Sequence, residues 1–201
     1  MYNDIQQYWH ELMFAMQEMP FPVLNQFAEL LLDCQKRNST IFLLGNGGSA
    51  ATASHFACDL TKGTRTRDDI PAFRAITLNE NVALMTAWAN DTTYERIFAE
   101  QLSALVRPHD VVILISVSGN SPNILAAAVA ARRSDALVIA LTGQSGGSLM
   151  PLADLAICVP TQSIEQVEDA HLIIAHSLCV VLRKRLDDVI KEGKVLTYGE
   201  A

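Results

Sequence analysis

The sequence lacks paired cysteines, a surplus of positive charge and any apolar run long enough to cross a bilayer. Each absence removes a class of function. Cys34, Cys58, Cys158 and Cys179 stand far apart, with no CxxC pair among them. They read as small core residues of a reducing compartment, not as a disulfide frame. Lys and Arg total 15 against 22 Asp and Glu, a formal charge of −7. Without a cationic excess to displace counterions, a role coating nucleic acid is disfavoured. The apolar stretches Val111 to Ile115 and Leu172 to Leu182 are too short for a membrane span, and the second carries His176. The first residues, with Asp4, Trp9 and Glu11, have neither the basic start nor the apolar centre of a signal peptide. Charged residues make up only 18% and apolar residues 50%, which argues against disorder. The expectation is a soluble, cytoplasmic, single domain over residues 1–201.

What is present has a clear rhythm. Tyr8, Leu12, Ala15 and Met16 recur at helical spacing until Pro20 and Pro22 interrupt, and a second helix is predicted from Val23 to Lys36. Residues 1–38 thus read as a helical extension. Continuous apolar runs then recur at Thr40 to Leu44, Phe73 to Leu78, Val111 to Ser116, Leu137 to Leu141 and Leu155 to Val159. Runs without alternation suit strands covered on both faces, as in a parallel sheet. Helical stretches fall between them, at Ser49 to Leu60, Asn81 to Ala87, Tyr94 to Leu105 and Pro122 to Arg132. The pattern predicts an α/β fold with an open parallel sheet of about five strands. A last helix is predicted from Ser163, with the capping-box pattern Ser163-Ile-Glu-Gln166, to Glu192, with Gly193 as its stop. It is greasy on nearly every side, which predicts burial in a subunit interface together with the N-terminal helices.

Three strand ends run into small polar residues: Gly45-Asn-Gly-Gly-Ser49, Ser116-Val-Ser-Gly-Asn-Ser121 and Thr142-Gly-Gln-Ser-Gly-Gly-Ser148. Ligands of open α/β sheets sit beyond these ends. Pro122 suits a first helical position, which makes Ser121 the N-cap and gathers the hydroxyls of Ser116, Ser118 and Ser121 about a helix N-terminus. That is a phosphate site needing no lysine. The first loop also fits the dinucleotide pattern G-x-G-x-x-A, but the acid that should follow is poorly placed and no Walker A loop occurs.

Among the ionisable groups, His55 and Asp59 are spaced to share a helix face. Glu168 and His176 stand eight residues apart, about 80° around the last helix, while His171 reads as an ordinary surface residue. Imidazole with carboxylate can move protons between adjacent carbons or ligate zinc.

The motifs Gly-Asn-Gly-Gly-Ser, His55-Phe-Ala, Asn90-Asp91 and Ser-x-Ser-Gly-Asn-Ser, followed by a histidine-bearing last helix, resemble the SIS (sugar isomerase) domain family. More narrowly, the chain resembles its phosphoheptose isomerase branch. The resemblance implies a flavodoxin-like sheet, a homotetramer with sites at subunit boundaries, and conversion of sedoheptulose 7-phosphate to D-glycero-D-manno-heptose 7-phosphate. It implies substrate contacts from Asn46, Gly47, Gly48, Asp59, Asn90, Asp91, Ser116, Val117, Ser118, Ser121 and Glu168. Asp59 and His176 would be catalytic, and Zn2+ would be held by His55, Asp59, Glu168 and His176. The chain departs from the family with Asp59 where Glu is usual, Glu168 where Gln is usual, Gly63 where Arg is usual and Val117 where Thr is usual. The rival expectation is a non-catalytic phosphosugar-binding module or an adaptor for a replication initiator.

Overall fold

The structure, a computed structural model, describes residues 4–191, the side chain at position 190 excepted. The expected helix end at Glu192 and stop at Gly193 lie outside the described residues.

The apolar runs form β1 (Thr40–Gly45), β2 (Arg74–Thr77), β3 (Val111–Ser116), β4 (Leu137–Gly143) and β5 (Leu155–Val159). All pair in parallel, in the order β2-β1-β3-β4-β5. That is the flavodoxin-like order, with its switch point between β1 and β3. Every residue of these two strands is buried. Alternate side chains leave opposite faces of a strand, so the sheet divides the core in two. Ile41, Leu43, Ile113 and Ile115 meet Phe27, Phe56, Ile174 and Leu178 on one side. Phe42, Leu44, Val112 and Leu114 meet Leu102, Ile124, Ala127 and Ala131 on the other. The edge strand β2 is less covered than its apolar sequence suggests: Ala75 packs with the first core, while Ile76, on the opposite face, is exposed.

The helices are α1 (Asp4–Gln17), α2 (Phe21–Lys36), α3 (Gly48–Cys58), α4 (Val82–Asp91), α5 (Ala99–Leu105), α6 (Pro122–Arg133) and α7 (Ile164–Lys191). The expected helix from Tyr94 to Leu105 is broken, with a short 3-10 turn over Tyr94–Arg96 before α5. Ile97 and Phe98, between that turn and α5, are both fully buried. Beyond Cys58, α3 passes into one π turn over Asp59–Gly63. Arg183 Nε of α7 donates to the Gly63 carbonyl at 2.8 Å and fixes that turn.

Half of the predicted capping box forms at α7: Gln166 N donates to Ser163 Oγ at 3.4 Å. The Gln166 side chain instead accepts from Thr161 Oγ1 and donates to Glu11 Oε2 of α1, at 2.8 and 3.0 Å. Tyr8 donates to Asp169 Oδ2 at 2.5 Å, which holds its phenol up at about 12. These contacts tie α1 to α7. Ile5, Trp9, Met13 and Phe14 of α1 and Ile173, Val180 and Val181 of α7 remain exposed. Cys34 and Cys179 are buried, as expected, but Cys58 is exposed and Cys158 half-buried. Among the described residues no helix is long and apolar enough to cross a membrane.

Candidate active site

The switch point is open. A cavity of about 540 Å³ lies across the carboxyl ends of β1, β3, β4 and β5, between the loops that follow them and the first turns of α7. Asn46 and Ser49 line it from the first loop, Ser116 to Ser118 and Ser121 from the second, and Gly143 to Ser145 from the third. Thr161, Gln162 and Glu168 close the fourth side. Of the lining side chains only Glu168 is ionisable, so an anion bound here is held by hydroxyls and amides.

Two helix N-termini, those of α3 and α6, face this space, and each offers unpaired backbone N–H groups. Ser121 is the N-cap of α6 in extended conformation, but its side chain makes no capping bond. Its Oγ lies 3.4 Å from Ser116 Oγ, at the cavity wall. The hydroxyl that normally satisfies the helix end is thereby turned to the cavity.

Close backbone approach holds the second and third loops together. Gly119 has φ +63°, and a Cβ there would stand 2.2 Å from the Gly146 carbonyl oxygen. Leu149 N donates to the Gly119 carbonyl at 2.9 Å, and Ser148 N to Asn120 Oδ1 at the same distance. Gly48 serves the cavity differently: a Cβ on it would fall 2.4–2.6 Å from the carboxylate atoms of Glu168. Glycine there lets an acid rest over the start of α3, where the helix dipole favours negative charge.

A second group forms where α3 meets α7. His55 Nε2 lies 3.2 Å from His176 Nε2, and Asp59 Oδ2 lies 3.5 Å from the first and 3.7 Å from the second. Two ring nitrogens facing each other need a proton or a cation between them. Tetrahedral zinc, with bonds of about 2.0–2.1 Å, sets its ligand atoms about 3.3–3.4 Å apart. The three donors fit that spacing and leave a fourth position open.

Glu168 stands outside this group, against Gly48 in the cavity wall. Asp59 and His176 in turn are not among the residues lining the cavity. Asn90 and Asp91 sit exposed at the end of α4, Asn90 Nδ2 donating to Asp91 Oδ1 at 2.9 Å, away from the lining set. Gly47 and Gly48 also lie outside that set.

His171 corrects its surface assignment. It is fully buried, with Nε2 3.3 Å from the Thr142 carbonyl and Nδ1 without a partner among the described residues. Burial pushes its pKa down to about 4. The third loop, which the sequence marked as a ligand edge, supplies Gln144 and Ser145 to the lining. Sequence reasoning passed over Asn123, Tyr94, Thr161 and Gln162. The rule that ligands sit beyond strand ends points to the last two; nothing local marks Asn123 or Tyr94.

The comparisons with known proteins agree with this geometry. A family model described as the SIS domain matches residues 6–143. The chain belongs to the SIS-domain family. It is 38% identical over 170 residues to a phosphoheptose isomerase of Roseiflexus sp. (strain RS-1), covering 84% of this chain and 85% of that one. With the phosphoheptose isomerase of Thiobacillus denitrificans the identity is 41% over 161 residues, or 79% and 81% of the two chains. The solved phosphoheptose isomerase of Neisseria gonorrhoeae superposes with a TM-score of 0.83 at 33% identity, over 90% of this chain and 97% of that one. Within the family the chain stands in the phosphoheptose isomerase branch.

Proposed function

We propose that this protein is an aldose–ketose isomerase that converts sedoheptulose 7-phosphate to D-glycero-D-manno-heptose 7-phosphate. The observation that carries the reading is a single cavity in which the hydroxyls of Ser116, Ser118 and Ser121 surround a helix N-terminus. A dianionic phosphate fits that cradle without a lysine. The sugar extends from it along Asn46, Ser49 and Glu168 toward the middle of α7.

The reaction moves one proton between neighbouring carbons and one between their oxygens, through an enediol. Asp59 takes the carbon-bound proton and His176 serves the oxygens. Supporting this pairing, the His176 ring lies 3.7 Å from Asp59 and 3.2 Å from His55. His55, Asp59 and His176 would hold Zn2+, with Glu168 as a further ligand, and such a metal would supply Lewis acidity to the sugar oxygens.

The reading includes a homotetramer, in which the exposed apolar faces of α1 and α7 are covered by other copies. The half-exposed cluster of His55, Asp59 and His176 then closes at a subunit boundary. The whole chain acts as one SIS domain, with residues 1–38 packing in the assembly. We place the protein in the cytoplasm, where thiols stay reduced.

The alternative is a phosphosugar-binding module without turnover, or an adaptor for a replication initiator. Asp59 and His176 lying outside the cavity lining favours it. Incubation of the purified protein with sedoheptulose 7-phosphate, with and without zinc, separates the readings. Formation of the aldose is expected. Substrate that binds and stays unchanged in both conditions overturns the isomerase in favour of the binder.

A further inference from the structure

Asp59 is the first residue beyond α3, so its carbonyl is bonded not within that helix but by the π turn over Asp59–Gly63. Thr64 N donates to it at 3.0 Å. Turns of this kind are rare inside helices and frequent at functional sites. The peptide group that supplies Thr64 N has a second bond at its other end. There the Gly63 carbonyl accepts from Arg183 Nε of α7 at 2.8 Å. One planar, rigid unit thus links Arg183 to the backbone of Asp59 through two hydrogen bonds. Bonds in such a chain polarise and strengthen one another.

The turn also sets the Asp59 side chain against Gly63. A Cβ on Gly63 would stand 3.5 Å from Asp59 Oδ1 and 3.8 Å from its Cγ, and the three atoms nearest to it all belong to Asp59. The other oxygen, Oδ2, faces His55 and His176. Asp59 therefore lies between the imidazoles and the peptide that Arg183 holds. Arg183 stands about two turns beyond His176 on the same face of α7. Cys179, buried between them, feels both charges: burial pushes its thiol up to about 12, Asp59 adds to the rise and Arg183 opposes it. Thr66 Oγ1 donates to Asp187 Oδ1 of α7 at 2.7 Å, one turn further on. Of these two bonds between the turn region and α7, the Arg183 bond is the one that enters the peptide joined to Asp59.

We infer that Arg183 is a positioning residue for Asp59, holding the carboxylate at the distance from His55 and His176 that proton transfer and metal ligation require. An aspartate has a single methylene, so an error in its backbone position reaches the carboxylate almost undiminished. A displacement on the order of 1 Å costs about 10²-fold in rate. Arg183 is not among the residues lining the cavity, and it acts on the reaction through the Gly63–Thr64 peptide alone. This role rests on the isomerase reading of Asp59 and His176 and adds one residue to it.

The test compares Arg183→Met with Arg183→Gln in the full-length protein. Counted from Cβ, the glutamine amide nitrogen falls at the same atom as arginine Nε, so Gln keeps the donor and drops the charge. Met keeps the length and drops the donor. The readouts are steady-state turnover of sedoheptulose 7-phosphate, calorimetric zinc affinity and competitive inhibition by inorganic phosphate. Arg183→Met should lower kcat and zinc affinity each about 10- to 100-fold, as loss of a group that orients a metal ligand does. KM should change less than about threefold, and the phosphate inhibition constant should stay as it is. Arg183→Gln should remain within about threefold of wild type in every readout. In an Asp59→Asn background, Arg183→Met should lower kcat no further, because the group it positions is gone.

A merely structural tie would lower the melting temperature of Arg183→Met and leave its kcat and zinc affinity at wild-type values, which overturns the inference. Arg183→Gln losing as much as Arg183→Met overturns it too, since the charge and not the bond would then matter. Should Arg183→Met not fold, Arg183→Ser, polar but too short to reach the carbonyl, takes its place with the same expectation. A wild-type protein that turns over no ketose phosphate overturns the isomerase reading by itself; the role of Arg183 is then overturned by an unchanged zinc affinity in Arg183→Met.

Discussion

Acidification from pH 7 to pH 5 should weaken the folded state through His171. Its Nε2–H donates to the Thr142 carbonyl, which leaves Nδ1, in a fully buried site, as an acceptor with no partner among the described residues. Protonation would add a charged N–H there with nothing to accept it, and burial accordingly lowers the pKa from 6.5 to about 4. Above pH 6.5 the ring is neutral folded or unfolded. As pH falls through 6.5 the unfolded ring takes a proton while the folded one does not, so the unfolded state binds more protons and stability drops. The loss levels off below the folded value, after about 3 kcal/mol in total, of which about 2 kcal/mol falls between pH 7 and pH 5. Urea unfolding at one protein concentration should show this as a midpoint shift on the order of 1 M. His171→Leu also removes the bond to Thr142, but that loss does not vary with pH. The stability gap between wild type and variant should therefore move by about 2 kcal/mol in favour of the variant on acidification. Parallel curves for the two proteins would refute the reasoning. Since Thr142 leads into the cavity loop, the same protonation should loosen Gln144 and Ser145, read as faster amide exchange.

Other outcomes follow from the site. Gly48→Ala places a Cβ 2.4–2.6 Å from the Glu168 carboxylate, whose flexible end can move away; stability should change little, while KM for the sugar phosphate rises about tenfold, as steady-state kinetics will show. Ser121→Ala and Ser116→Ala each delete a hydroxyl facing the phosphate, and a bond to a charged group is worth about 1.5–3 kcal/mol, so KM should rise about 10- to 100-fold in each. Calorimetric titration with zinc should give one site per chain in wild type, with affinity reduced at least about 100-fold in His55→Ala and His176→Ala. Replacing Ile5 and Trp9 together by Ser and Gln should shift sedimentation toward smaller species if the apolar face of α1 is an intersubunit surface.

Local pattern alone determined much of this protein. Continuous apolar runs set the five strands and their ligand edge, because burial on both faces removes the need for alternation, though the edge strand β2 is not itself buried. Pro122 after Ser121 marked the helix start at the phosphate cradle, and the four-residue spacing of His55 and Asp59 set them on one face of α3. These features depend on residues a few positions apart, so chain geometry dictates them. Tertiary structure decided the rest. His55 and His176 are 121 residues apart, and only the packing of α3 on α7 brings their rings together. His171 follows Glu168 and Asp169 and reads as a surface residue in sequence, yet the docking of α7 against β4 buries it beside the Thr142 carbonyl. Asn123 meets Asn46 only because β1 and β3 are neighbours in the sheet, which carries the first turn of α6 to that side chain. Strand order and helix docking arise from the whole core closing at once, and no short stretch of sequence holds that information.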